Sequence, residues 1–446
     1  MYKQLLVFST LALPLATSVA QQPVQVTALR IDSVRPISLP EAVVLAQRNA
    51  PAAVQARGQV RTAASAVRSA YGAFLPSLSG SMGQTKQGGQ RFDPLRGPVT
   101  QAASPWQASM GFSSSLEIFD GMRRWNDLKA NQADLDAADA NEITQRFSIA
   151  LQVKREYANI LAARESEAAA QAQIEQAEAQ MRAAVARVQA GAATMSDSLR
   201  SAIQVGNARL ALLTARNSLR VASATLTRLV GTNFLVTANP ADTSDFAIVP
   251  VDSAALIGLA QQGPIVRQAE LQHLAAQRNE RVSKASYLPT ISTSFSYNGN
   301  RQDSSYRVNF GPGDYAFGRQ FRISMNFPLF NNFTREDQVL RAKVATDNAT
   351  AQLRDARLVA QQNLITQFGA LRTAEERVEI QRASVLAAQE DLRVMQQRYA
   401  LNASTLLDLL TSQSQLNQAR AALIQARQDY RIARAQIEAI IGRDLQ

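Results

Sequence analysis

The stretch Arg187-Val188-Gln189-Ala190-Gly191-Ala192-Ala193-Thr194-Met195-Ser196-Asp197 returns later in the chain as Arg398-Tyr399-Ala400-Leu401-Asn402-Ala403-Ser404-Thr405-Leu406-Leu407-Asp408. Each copy sets Gly or Asn, the residues that tolerate left-handed backbone, between two helical patterns, so each reads as a helix reversal. The helix leading into each reversal is unusually long. Met122–Ala190 contains neither Pro nor Gly, and Phe333–Leu401 contains only Gly369. About 69 residues rising 1.5 Å each span about 100 Å, far beyond a globular helix, so these are expected to be coiled-coil elements. Leu364, Leu371, Val378, Val385, Leu392 and Tyr399 stand at heptad spacing, and Val153, Ile160, Glu167, Ile174, Met181 and Val188 repeat the seam with one break, at Glu167. The second heptad position is less regular, mixing Phe368, Ala388 and Met395 with polar residues. A narrow seam of that kind suits helices packed edge to edge around a wet hollow.

Working outward, the whole chain is duplicated at a spacing of about 211 residues. Ala50-Pro51 is answered by Gly263-Pro264, Leu75-Pro76-Ser77-Leu78-Ser79 by Leu288-Pro289-Thr290-Ile291-Ser292, Ile118-Phe119-Asp120-Gly121 by Leu329-Phe330-Asn331-Asn332, and Leu229-Val230-Gly231 by Ile440-Ile441-Gly442. Ordered matches across both halves define two similar units side by side. Each unit is expected to hold a first helix, two strands joined by a polar loop, the long helix and a return helix. The first helix should start at Ser38, with Glu41 completing a capping box, and be interrupted at Pro51. The expected segments are a signal peptide (1–20), an N-terminal segment (21–36), a first unit (37–231), a linker (232–251), a second unit (252–442) and a short tail (443–446).

The strands alternate. Ala108, Met110, Phe112, Leu116 and Ile118 interleave with Gln107, Ser109, Gly111, Ser115 and Glu117; Ile323, Met325, Phe327 and Leu329 interleave with Arg322, Ser324 and Asn326; Ile291, Phe295 and Tyr297 interleave with Ser292, Ser294, Ser296 and Asn298. The partner near Leu78 to Met82 is weaker and Gly-rich. Apolar-out, polar-in alternation over about 10 residues fits membrane barrel strands. Tyr71, Phe74, Trp106, Phe119, Trp125, Tyr287, Phe330 and Phe333 cluster at the strand ends, as an interfacial girdle would. Four strands cannot close, and lipid tolerates no open edge. Eight strands have an interior filled by side chains, so a channel requires at least three copies, with outer-membrane lipid around them. The loops at 86–104 and 299–319 then face outward.

Composition removes other classes. Lys3, the apolar run Leu5 to Ala16 and Ser18-Val19-Ala20 form a secretory signal, and no Cys follows to carry a lipid. Absence of Cys excludes thiol catalysis and thiolate metal sites, and His273 is the single His. No phosphate loop or metal-ligand cluster is present, so neither an enzyme nor a cofactor is expected. The net charge of +11 is spread among Gln, Glu and Asp on helix faces, a pattern that does not point to nucleic acid.

The duplicated strand pairs, each entered through Leu-Pro, and the two reversal motifs together resemble the TolC-like outer-membrane efflux proteins over nearly the whole mature chain. The resemblance implies an α+β membrane protein in which a homotrimer joins a twelve-stranded β-barrel to an α-barrel of long coiled-coil helices. It implies a passive exit duct in the outer membrane of a Gram-negative bacterium, with a large periplasmic part, serving tripartite efflux or type I secretion. A periplasmic adaptor would dock at tips formed by Gly191, Ala192, Asn402 and Ala403, and an inner-membrane pump would act through it. By the same resemblance Asp197 and Tyr399 occupy lock positions, while the Arg of that lock is replaced by Ser404. Asp408 occupies the position of a carboxylate ring at the pore constriction, and the second acid of that ring is replaced by Thr411. Asp197 and Asp408 also fit ordinary helix-start acids favoured by the dipole. The competing reading for the whole chain is a periplasmic coiled-coil adaptor or scaffold.

Overall fold

The computed structural model describes residues 30–86, 90–95, 97–100, 106–243, 253–303, 315–401 and 403–445. The expected signal peptide and Asn402 lie outside the described residues. In chain order the elements are β1 (Arg30–Ile37), α1 (Leu39–Asn49), α2 (Pro51–Gly72), β2 (Ser77–Thr85), β3 (Gln90–Asp93), β4 (Gly97–Thr100), β5 (Trp106–Phe119), α3 (Arg123–Gln189), α4 (Met195–Val230) and β6 (Phe234–Ala238). They continue with α5 (Ser253–Ala260), α6 (Pro264–Lys284), β7 (Thr290–Asp303), β8 (Ala316–Asn326), α7 (Thr334–Ala400) and α8 (Leu406–Ile441).

The long helices α3 and α7 are 67 residues each, about 100 Å. Near the sheet, α2 packs on α3, α3 on α6 and α6 on α7; toward the far end, α4 packs on α3, α3 on α8 and α8 on α7. Four helices therefore stand side by side at both levels. The heptad residues fill the seams: Val153, Ile160, Leu364, Leu371, Val378 and Leu392 are buried. Glu167, which stands where Val378 stands in the second unit, turns to Arg216 at 3.2 Å. Paired cores mark the duplication, one built on Val153, Ile160, Leu226 and Val230, the other on Leu364, Leu371, Ile437 and Ile441. The return helices α4 and α8 end alike, at Gly231 and Gly442 with φ 71°, a conformation a side chain would strain.

Strands β2, β5, β7 and β8 form one antiparallel sheet in that order. The register carries one set of side chains to each face. Leu78, Ser114, Phe295 and Phe321 align across the sheet, as do Gly80, Phe112, Tyr297 and Arg319. The opposite face carries Ser77, Ser115, Ser294 and Arg322 in one row and Ser79, Ser113, Ser296 and Gln320 in the next. Serine hydroxyls pair across the strands on this face, Ser77 with Ser115 and Ser79 with Ser113 at 2.7 Å, and Ser292 with Ser324 at 3.0 Å. A bulge between Glu117 and Phe119 breaks the alternation at Ile118 and gives Phe119, not Ile118, the place opposite Ile291.

Two expectations are corrected and one is filled in. Within the expected linker, β6 (Phe234–Ala238) pairs in parallel with β1 (Arg30–Ile37). Tyr157 of α3 fastens them: its hydroxyl donates to Ile37 O at 3.0 Å, bonds to the Asp242 carboxylate and accepts from the Asn239 N–H at 3.0 Å. The capping box at Ser38 does not form. Ser38 has N-cap geometry without a side-chain hydrogen bond, and Glu41 faces Arg35 of β1 at 3.7 Å instead. The loop expected at 299–319 is shorter, since Gly299 and Phe317 are paired within the ladder, and a small hairpin, β3–β4, occupies part of the loop expected at 86–104.

Candidate functional site: the helical tips

Each hairpin tip is closed by the same local chemistry. After α3, the Ala192 N–H donates to Arg187 O at 2.8 Å across Gly191, whose φ is 71°; after α7, the Ala403 N–H donates to Arg398 O at 2.8 Å. The next helix then starts at a threonine. Thr194 caps α4 and Thr405 caps α8, each in a reciprocal box with the acid three residues on. The Asp408 N–H donates to Thr405 Oγ1 at 3.2 Å, while the Thr405 N–H and Oγ1 donate to Asp408 Oδ2 at 3.0 and 2.7 Å. The Thr405 backbone N–H, followed by its hydroxyl, holds the Asp408 carboxyl below the usual carboxylate range. Asp197 is bound in the same way to Thr194, through contacts of 3.0 to 3.3 Å.

Among the described residues no hydrogen bond joins Asp197 to Tyr399. Tyr399 is held instead by Arg187 from the other hairpin: the guanidinium lies 4.5 Å from the ring centroid, and Nη1 donates to Tyr399 O at 3.0 Å. The Asp197 Oδ2 instead completes the cap, accepting from the Thr194 N–H and hydroxyl. Asp408 and Thr411 are both exposed on α8 and one turn apart, and the Thr411 hydroxyl donates to Leu407 O at 2.8 Å. Ser404 has a buried hydroxyl with no partner. Ala192, Gly191 and Ala403 are exposed at the tips. The Arg187–Tyr399 contact was not foreseen from the sequence. Both residues belong to the duplicated motif, but their meeting depends on how one hairpin lies against the other, which spacing along one chain does not encode.

Between the hairpins, the contact of α3 with α8 carries a series of polar pairs. Asn159 accepts from Gln428, Glu165 meets Arg427 at 3.4 Å, and Lys154 donates to Glu438 and Asp444 at 2.6 Å each. Burial alone would lower Lys154, but the hydrogen bonds to Asp444 and Glu438 carry it above its ordinary value. Within the hairpins the seams are apolar, as at Leu392, Leu406, Leu409 and Leu416 between α7 and α8.

A two-faced sheet of four strands continued by four helices side by side, each half a copy of the other, defines the architecture of an outer-membrane efflux channel. The chain belongs to the outer membrane efflux protein family, whose model matches residues 42–232 and 258–443. It is similar to the pyoverdine export outer membrane protein OpmQ of Pseudomonas aeruginosa, 26% identical over 83% of this chain and 77% of that protein. It is also similar to the outer membrane protein TolC of Escherichia coli, 23% identical over 84% of this chain and 76% of that one. Among solved structures, the open state of the MtrE outer membrane channel of Neisseria gonorrhoeae matches with a TM-score of 0.74 at 20% identity, covering 92% of this chain and 89% of that one. CusC matches with a TM-score of 0.76 at 16% identity over 96% of both chains. Among the described residues no helix is long and apolar enough to cross a membrane.

Proposed function

We propose that three copies of this chain close into a passive outer-membrane exit duct for tripartite efflux or type I secretion. The observation that carries the reading is the sheet. Among the described residues its two edges, β2 and β8, have no further partner strand; one face is a serine–asparagine surface and the other is apolar yet exposed, with Phe321 66% and Ile323 63% accessible. A soluble protein would cover such a face; a membrane strand presents it to lipid and turns the hydroxyls to a wet lumen. Strands of 9 to 14 residues meet the 9–11 that a tilted membrane strand needs. Three four-stranded sheets give twelve strands, enough for an open lumen.

The helices support the same assembly. The outer sides of α4 and α7 expose Leu199, Ile203, Leu210, Leu340, Ile365 and Ile380, so a neighbouring protomer on each side would bury them. In that trimer the tips, with Gly191, Ala192, Asn402 and Ala403, face the periplasm as the docking surface for an adaptor that couples the duct to an inner-membrane pump. Asp408 and Thr411 line the constriction, and the hold on Tyr399 falls to Arg187, with Asp197 serving as a cap.

The test is single-channel conductance of the purified protein in planar bilayers, before and after Asp408→Asn. Discrete cation-preferring openings that lose their preference in the variant are expected. A protein that stays soluble without detergent and never conducts would be a periplasmic scaffold instead.

A further inference from the structure

The row of helices has two unlike edges. One is formed by α2 near the sheet and α4 toward the tips; the other is α7 along its whole length. The first edge is basic. α2 contains Arg57, Arg61 and Arg68 and no acid, and the one acid of α4, Asp197, is held in its cap. Arg61, Arg68 and, on α4, Arg220 are exposed and make no ion pair among the described residues. The second edge is acidic. Asp347, Asp355 and Glu376 of α7 are exposed and equally without an ion pair among the described residues. Other charges of that helix are already matched, Arg372 with Glu375, Arg377 with Asp429 and Arg382 with Glu379. Arg354, the cation nearest these acids, lines a groove with Gln261 and Arg357, on the flank toward α5.

The row's own contacts carry heights from one edge to the other. Near the sheet, Gln59 of α2 bonds to Asn141 of α3, Asn141 to Gln268 of α6, and Glu270 of α6 to Arg357 of α7. Gln59 is thus about level with residue 357. Because α2 leads into the sheet and α7 out of it, Arg61 stands level with Asp355 and Arg68 with Asp347, each within a turn. Toward the tips, Arg216 of α4 meets Glu167 of α3, Glu165 meets Arg427 of α8, and Asp429 of α8 meets Arg377 of α7. Arg216 is thus about level with residue 381. That sets Arg220 against Glu376 and the exposed Leu213 against the exposed Leu386, again within a turn. A rotation about an axis along the helices moves a copy sideways without changing these heights, so the two edges match as the facing sides of neighbours. Like edges do not match. A two-fold axis along the helices would set Asp355 against Asp355, or Arg61 against Arg61, at equal height.

We infer that copies of this chain join head to tail in one register, with Arg68 on Asp347, Arg61 on Asp355 and Arg220 on Glu376 of the next copy, and Leu213 seated on Leu386. The inference rests on the duct reading, which sets copies side by side, and adds which edge meets which and at what height. The strands agree with it: the sheet order β2-β5-β7-β8 follows the helix order α2-α3-α6-α7, so the rotation that brings α7 to α2 also brings β8 to β2.

The experiment uses the full-length protein in detergent and exploits a chain without Cys. Leu213→Cys is combined in turn with Glu379→Cys, Leu386→Cys and Arg393→Cys, positions one heptad or about 10 Å apart, and oxidised trimers are resolved on non-reducing gels. Two helices separate α4 from α7 within a copy, about 24–30 Å along the row, so each disulfide joins two copies. Leu386→Cys should cross-link about tenfold faster than either alternative. Arg220→Glu and Glu376→Arg, both at exposed positions, should each weaken trimerisation about tenfold, and the double variant should regain it. Equal cross-linking at all three positions, or a double variant no better than the single ones, would overturn the register. Conductance is recorded on the same preparations. A parent that conducts as a trimer while the charge swap fails to rescue refutes the register alone, whereas a parent that never conducts refutes the duct.

Discussion

Arg187 and Tyr399 show how a contact between hairpins can rest on one side chain. A cation over an aromatic ring contributes about 0.5–1 kcal/mol where partly exposed, and a hydrogen bond from a charged donor adds about 1.5–3 kcal/mol. Repeated three times in the proposed trimer, the clamp outweighs thermal energy several-fold. Arg187→Ala should therefore raise the open fraction of the channel in bilayer recordings, and Arg187→Lys should give an intermediate value because ammonium forfeits the planar stacking. Unaltered gating in Arg187→Ala would return this Arg to a packing role. Asp408 makes a separate prediction through its cap. Its folded pKa is depressed, so its contribution to the start of α8 is present above the ordinary carboxylate pKa and is lost as pH falls through the depressed value. Protection at residues 408–410, measured as exchange relative to the free peptide at the same pH, should hold from neutral pH to about 4 and fall only below that. Protection lost already near pH 6 would contradict the cap.

At the scale of elements, the long helices were legible because their cause is repetitive. Heptad spacing from Leu364 to Tyr399 predicts a seam, and burial of Leu364, Leu371, Val378 and Leu392 is that seam. The irregular pieces were not legible, since their partners are distant. Strand β1 gains meaning only from β6, which lies about 200 residues away. Phe234–Ala238, a short run bounded by Gly231 and Pro240, carries the composition of a buried strand and was the available signal. The tip acids were legible as residues but not as partners, because capping is local while the Tyr399 contact is tertiary. Glu167 tests the seam directly. Its ion pair with Arg216 is largely exposed and worth at most about 1 kcal/mol, whereas a valine there would restore the apolar row seen at Val378. Glu167→Val should raise the thermal midpoint followed by far-ultraviolet circular dichroism; a lower midpoint would mean the seam needs its polar break. The ion cluster of Lys154, Glu438 and Asp444 behaves in the opposite sense. Lys154→Met leaves a nearly buried Glu438 with Arg434 as its remaining cation and should cost about 1–3 kcal/mol, much of it regained in the double variant with Glu438→Met.

The whole molecule is organised by one geometric fact: two units of the same design each supply half of a sheet and half of a helical row, and neither row nor sheet can end where the chain ends it. The free edges at β2 and β8 and the uncovered leucines and isoleucines of α4 and α7 call for the same neighbours, so one symmetry operation satisfies both the strands and the helices. The serine rows and the apolar rows then acquire different surroundings, and this difference can be tested with one charge placed on either side. Phe321 lies midway along the apolar face, in register with Phe295, and Ser296 lies one residue on, on the hydroxyl face. Phe321→Arg puts a guanidinium into hydrocarbon at about 2–4 kcal/mol per protomer, threefold in a trimer, and should abolish membrane insertion as read by heat-modifiable migration of the outer-membrane fraction. Ser296→Arg should insert normally and reduce the cation preference of the pore, because its charge enters the lumen. Equal tolerance of both substitutions would mean that the two faces see the same solvent, and the sheet would then belong to a protein that never enters lipid.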